Sequence, residues 1–370
     1  MGFLALIFAL LIDQGRNLPI RQAVIEQLET AADAVRRLTD MGGLYDGWKA
    51  WALMMGLATL LAIGLDLIAS RSHVLLQFAL HVAVLYLFIG FRRFSSPFSA
   101  IQRAFSEGDA SRAFVILQAW LRGRDLEDPA VLASGSVAED FDSSAVCRQA
   151  IDQALIASHR HVFGPLLAYV LLPGILGPVL YRLAEVMLNR WQHPAVEASG
   201  DGSLSIEDSD RHRLAAQRGF SWFDWIPVRL NAAGLTVVGN FEDAVFCWRG
   251  AVSARVSLAA RQPEAAAAMD ESRAILLATA SGALGLRLAD PALEGHWVSE
   301  GFEWQGALPD PGGLRSAVGL VWRNAVLWVS FFAILTMAGW LGRQHRAIGR
   351  ACAELAILTE PQLSGCDPAR

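Results

Sequence analysis

The chain alternates long apolar runs with polar, arginine-bearing stretches. Two apolar runs, Trp48 to Ala69 and Val74 to Phe91, are separated only by a short turn at Arg71-Ser72-His73. A membrane-spanning helix needs roughly 20 apolar residues, so the two runs predict a transmembrane hairpin, with Trp48 and Trp51 as anchors at one end. A third run covers 162–186 and a fourth 317–340. The third contains Gly164-Pro165, Pro173-Gly174 and Gly177-Pro178. Such residues break soluble helices but are tolerated in membrane helices that pack on neighbours. Trp225 to Val238 and Ala274 to Leu288 are weaker, with the length of buried, re-entrant or interfacial helices. Met1 to Ile12 is apolar but too short to span, has no basic flank and no AxA-like cleavage site, and reads as a retained segment.

The polar stretches are also patterned. Val24, Leu28, Ala31, Val35 and Leu38 recur at three- and four-residue steps, which predicts an amphipathic helix. Residues 92–161 predict a polar helical segment with helices near Ala100–Leu121, broken at Ser106–Asp109, and at Ser143–His159. Residues 192–218 read as an acidic, solvated loop, and 341–370 as a C-terminal tail. These expectations describe an all-α, polytopic integral membrane protein: one membrane domain over 1–340, with strong spans at about 48–69, 74–91, 162–186 and 317–340 and roughly four to six spans in total. Arginines crowd the segment from Arg92 and the tail from Arg343, which places both on the cytoplasmic side of a bacterial inner membrane. No repeat of solenoid length is visible.

Composition sharpens this picture. The chain has 370 residues, 54% hydrophobic and only 18% charged, against about 25% charged in ordinary soluble domains. Its mean hydropathy is +0.35, so the bilayer is its first expected partner. A formal net charge of -5 argues against nucleic acid. Lys49 is the sole lysine, which excludes a phosphate-binding GxxxxGK loop and leaves one residue for Schiff-base chemistry. The four cysteines show no CxxC spacing, so no zinc or redox pair is indicated.

Several groups carry candidate chemistry. Asp66 and His81 lie within the hairpin spans, where an ionisable side chain is either functional or paired with a neighbour. His159 and His161 are two apart in a helical segment and do not share a helix face, so a basic boundary cluster explains them better than a metal pair; no metal-ligand set is read. Arg182 and Glu185 are three apart and predict a helix-surface ion pair. Gly123-Arg124-Asp125 is either a turn presenting a guanidinium and a carboxylate to a phosphate and a metal, or a helix stop followed by a capping aspartate. Asp224-Trp225-Ile226-Pro227-Val228-Arg229-Leu230 reads as a helix start, with Asp224 capping, Pro227 in the first turn and Arg229 facing the membrane surface or a carboxylate.

These motifs, in this order, resemble the CobD/CbiB family of cobalamin-biosynthesis membrane proteins and its divergent relative AmpE. Trp120 to Asp125 looks like the family's GRD turn. His161 to Glu185, with Gly164-Pro165-Leu166-Leu167 and Tyr181-Arg182, looks like its following apolar helix. Asp224 to Leu230 is similar to its D-x-[LIV]-P-x-R-L segment, and Ser281 to Leu288 to its A-G-A-L-G segment. Gly123, Arg124, Asp125, Glu185, Asp224, Pro227 and Arg229 are therefore the candidate ligand-contact set. The resemblance implies either of two activities. One is corrinoid amide synthesis, joining adenosylcobyric acid to aminopropanol or its phosphate with ATP and magnesium. The other is a repurposed role in sensing, ligand binding or complex assembly, with a corrinoid or other membrane-pathway proteins as partners. The synthase branch carries an E-N-x-x-D-G string where Ala157 to Gly164 stand here, and asparagine and aspartate where Leu183 to Val186 stand. The departures remove polar groups and keep apolar and glycine positions, which favours the repurposed role. The D-W-I-P-V-R-L string is nearer to AmpE.

Overall fold

The computed structural model describes residues 2–15, 20–123, 142–192, 206–261, 270–288 and 306–359. Among these the regular elements are helices: α1 Gly2–Gly15, α2 Ile20–Thr39, α3 Asp46–Ser72, α4 Val74–Phe88, α5 Arg92–Ser106, α6 Ala110–Leu121, α7 Ser143–Ser158, α8 Gly164–Leu171, α9 Leu176–Gln192, α10 Ile206–Val238, α11 Phe241–Arg261, α12 Glu271–Leu284 and α13 Pro311–Thr359. One π-helical turn, His159–Phe163, joins α7 to α8. The chain is all-α, as the apolar periodicity predicts. It forms two compact units, residues 1–325 and 326–370.

Among the described residues three helical stretches are long and apolar enough to cross a bilayer: Asp46–Ser72, Val74–Ser106 and Pro311–Gly342. The second is interrupted at Ile89–Phe91, between α4 and α5. The first two are the expected hairpin, and His73 closes its turn by accepting from the Leu75 N–H at 3.2 Å. Leu57, Leu60, Leu61 and Ile68 of α3 are exposed, as side chains facing lipid would be.

The run over 162–186 is not one span. It divides at Leu172–Ile175 into α8 and α9, because Pro173 cannot continue a helix and Gly174 takes φ 63°, a backbone region that costs a side-chain-bearing residue about 1–2 kcal/mol. α9 is buried over most of its length. Tyr181, Leu183, Ala184, Met187 and Trp191 pack in one core with Ala32 and Val35 of α2, Ala50 and Met54 of α3, and Ala216 and Phe220 of α10. The amphipathic reading of α2 holds for Val24, Leu28, Ala31 and Val35, which pack inward, whereas Leu38 is 72% exposed.

Three further boundaries differ from the sequence expectation. The acidic stretch at 192–218 is helical from Ile206, so Trp225–Val238 is the end of the long α10 and not a separate short helix. Pro227 lies in its interior rather than in a first turn. The expected tail continues the last helix, since α13 runs unbroken to Thr359. The break at Ser106–Asp109 is present, with Asp109 accepting from the Arg112 N–H at 2.8 Å to start α6.

Candidate functional site

The π-helical turn organises the site, and its cause is local. Pro165 has no N–H, so it cannot donate to the carbonyl four residues back. That carbonyl, on His161, accepts instead from the Gly90 N–H at 2.9 Å. The wider turn aims successive side chains of His159-Arg160-His161 at different partners. Gly164 follows, where a Cβ would overlap the Tyr181 ring; its absence lets α9 approach.

His159 is 1% exposed and Asp224 0%. The His159 Nε2 lies 2.8 Å from Asp224 Oδ1. Asp224 also accepts from the Tyr181 hydroxyl at 2.8 Å and from Ser272 Oγ at 2.5 Å. On the other side of the imidazole, Asn231 Nδ2 lies 3.1 Å from His159 Nδ1, and Asn324 Nδ2 donates to Asn231 Oδ1 at 2.6 Å. The chain of donors is self-consistent for a neutral imidazole carrying its proton on Nε2. A buried carboxylate with three donors is compensated, and the knot binds the π turn, α9, α10, α12 and the start of α13. Burial and the neighbouring Asp224 charge push the Tyr181 phenol well up, so it remains a donor.

Beside this knot lies a polar chamber of about 690 Å³. Its walls come from α7, the π turn, α9, α10, α11 and α12. Four arginines, Arg160, Arg218, Arg255 and Arg273, and three carboxylates, Glu185, Asp270 and Glu271, line it. Each carboxylate is paired. Asp270 binds Arg160 at 2.7 Å. Glu271 binds Arg229 at 2.6 Å and Arg255 at 2.5 Å. Glu185 binds Arg182 at 2.5 Å. Behind the wall Arg273 donates to the buried Asp152. His161 lines the same chamber, with Arg182 Nη1 2.8 Å from its Nδ1. Burial and then the Arg182 charge hold the His161 imidazole well below its usual value, so it stands neutral there. Among the described residues no three or more His, Cys, Asp or Glu side chains cluster as a metal site.

The motif residues distribute as follows. Glu185 lines the chamber, Asp224 centres the knot behind it, and Arg229 pairs with a chamber carboxylate while its guanidinium carbon sits 4.1 Å over the Trp225 ring. Asp224 caps no helix start, because α10 begins eighteen residues earlier at Ile206. Pro227 lies inside α10 and is not among the residues that line the chamber. Gly123 ends α6 at φ 65°; Arg124 and Asp125 lie outside the described residues. His159 and His161, two apart, diverge to Asp224 and to Arg182. Asp66 and His81 pair with each other at 3.1 Å, and His81 Nδ1 lies 2.7 Å from the Tyr169 hydroxyl, a polar chain separate from the chamber. Sequence reasoning missed Asp270, Glu271, Ser272 and Arg273. Their signal was an N-cap aspartate followed by three polar residues ahead of an apolar helix, a pattern that reads equally as ordinary capping.

Two curated proteins are similar to this chain. It is 27% identical over 257 residues to the cobalamin biosynthesis protein CobD of Chromobacterium violaceum, covering 69% of this chain and 70% of that protein. It is 25% identical over 347 residues to the cobalamin biosynthesis protein CobD of Stutzerimonas stutzeri, covering 92% of this chain and 98% of that protein. No family model matches the chain, and no solved structure does.

Proposed function

We propose, from the premise that the chain belongs to the CobD/CbiB family of cobalamin-biosynthesis membrane proteins, that it is a ligand-binding member of that family. In this reading it serves in sensing or complex assembly at the bacterial inner membrane and does not form the amide bond. One observation carries the proposal: every carboxylate lining the chamber is already bound to an arginine. Magnesium for an ATP-dependent step is usually held by one or two carboxylates together with the phosphates. Here those oxygens are committed, so the donor set as it stands does not fit that cation. A compact anionic or zwitterionic group does fit. Arg218 is exposed and has no ion pair among the described residues, and the neighbouring arginines can share their donors with a second carboxylate or a phosphate. The likeness to AmpE in the Asp224–Leu230 string points the same way.

The synthase reading keeps one specific support. The chamber brings four arginines and three carboxylates together, and a phosphate that drew an arginine away would release a carboxylate for a metal. Expression in a strain lacking the family's amide synthase separates the two. No restoration of cobalamin-dependent growth is expected, although immunoblotting finds the protein in the membrane fraction. Restored growth overturns the proposal. Titration of the detergent-purified protein with a corrinoid carboxylate, followed by absorbance, should show saturable binding that Arg218→Gln weakens; no saturable signal in the unaltered protein would remove a corrinoid as the ligand.

A further inference from the structure

The chamber has a rim whose chemistry is not that of a water-facing edge. The turn before α3 exposes Met41, Leu44 and Tyr45 at 84%, 80% and 70%. Trp48 follows in the first turn of α3. Trp222 of α10 stacks on it, with ring centroids 5.1 Å apart and an interplanar angle of 29°. Trp222 is 69% exposed and Trp225 52%. A contiguous exposed patch of this kind marks an interaction surface. Two cations flank it: Lys49, which is paired with Asp46 at 2.9 Å while its side chain stays 62% exposed, and the exposed Arg218.

Continuity with the membrane span says what covers the patch. α3 is long and apolar enough to cross a bilayer and begins at Asp46, so Trp48 stands at the end of a span. Tryptophan and tyrosine concentrate at that depth, with the ring in the acyl boundary and the polar edge among headgroups. The stacked ring of Trp222 must lie at the same depth. Cations beside such a belt complement anionic headgroups. Trp222 also lines the chamber, as does Arg218.

We infer that the Met41–Trp48 turn and the Trp222 face of α10 form a bilayer-interface dock, seated among phospholipid headgroups, which holds the α10 edge of the chamber at headgroup depth. An anionic ligand then reaches Arg218 from the membrane surface. The entry route rests on the reading of the chamber as a ligand site; the seating of the rim does not.

The test reads depth and needs no ligand. Trp222→Cys and, independently, Leu44→Cys are made in a cysteine-free background that still inserts and unfolds cooperatively. Each is labelled with an environment-sensitive nitrobenzoxadiazole dye and reconstituted into vesicles of neutral and anionic phospholipid. Glu107→Cys, in the polar turn between α5 and α6, is the aqueous control. Both rim positions should emit to the blue of the control. Lipids with a quencher near the glycerol should quench them more than lipids with one deep in the chain, and aqueous iodide should quench them less than the control. Control-like emission with full iodide quenching overturns the dock. So does dominant quenching from deep in the chain, or protection from lipid and iodide alike that rises with protein density, which would mean a second copy covers the rim. If the rim reads shallow while the corrinoid titration is silent, the dock stands and the chamber reading fails.

Discussion

Asp224 has no exposure, so its three hydrogen bonds are the whole of its compensation. Asp224→Ala would leave the His159, Tyr181 and Ser272 donors buried without an acceptor. Breaking one side of such a group costs about 3–5 kcal/mol, and the thermal midpoint in detergent should fall sharply. Asp224→Asn keeps an acceptor oxygen and should cost clearly less; equal losses would count against the knot. His161 gives a pH signature. Its imidazole, outside the three spans, is held below its ordinary value of 6.5 by burial and by Arg182. A depressed folded value means that the stabilisation is complete above the unfolded value. It is then lost as pH falls below that value toward the folded one. The thermal midpoint should therefore drop between about pH 7.5 and about pH 5.5, and His161→Gln should flatten that part of the profile.

At the scale of elements, the interrupted run from Val162 to Val186 decides where the chamber can form. Had it stayed one helix, α9 could not pack between α2, α3 and α10 with Tyr181 in the Asp224 knot and Glu185 on the chamber wall. Gly174→Ala meets both a left-handed backbone and the Asp66 carboxylate that a Cβ there would strike. About 1–3 kcal/mol of destabilisation is expected from the backbone alone, measured as a lower unfolding midpoint, with Gly42→Ala as a comparison that shares the positive φ but meets nothing within 4 Å. The hairpin, the α5–α6 break and the inward face of α2 were legible because each leaves a periodic or capping signature in adjacent residues. The chamber was not. Arg160 meets Asp270 and Asp152 meets Arg273 across more than a hundred residues, and nothing local distinguishes such a pair from two solvated charges. Asp224 misled for the opposite reason. An aspartate three residues before a proline is a good helix start on local grounds, and only the packing of α10 against α3 and α9 carries the helix back to Ile206.

For the whole molecule the remaining question is which way the hairpin faces. Arg92, Arg93, Arg103, Arg112 and Arg122 follow α4, the second arm of the hairpin, within a short stretch, and positive charge close to a span's end sets orientation. Moving such a cluster across an energised membrane opposes a potential worth about 2.3 kcal/mol per charge per 100 mV, so α5 and α6 should be cytoplasmic. Cys147, the native thiol nearest this segment, cannot report this. Cys147 is fully buried, and burial pushes its thiol up to about 12, so it carries almost no reactive thiolate at neutral pH on either side of the membrane. A cysteine at Glu107, whose side chain is 48% exposed, removes that difficulty. In intact spheroplasts Glu107→Cys should resist a membrane-impermeant maleimide and react once the membrane is opened by detergent. The unaltered chain should stay unlabelled at Cys147 in both conditions. Labelling of Glu107→Cys before permeabilisation would reverse the hairpin, and would put the Met41–Trp48 turn, at the same end of α3 as the start of the span, on the opposite face from the one that the arginines require.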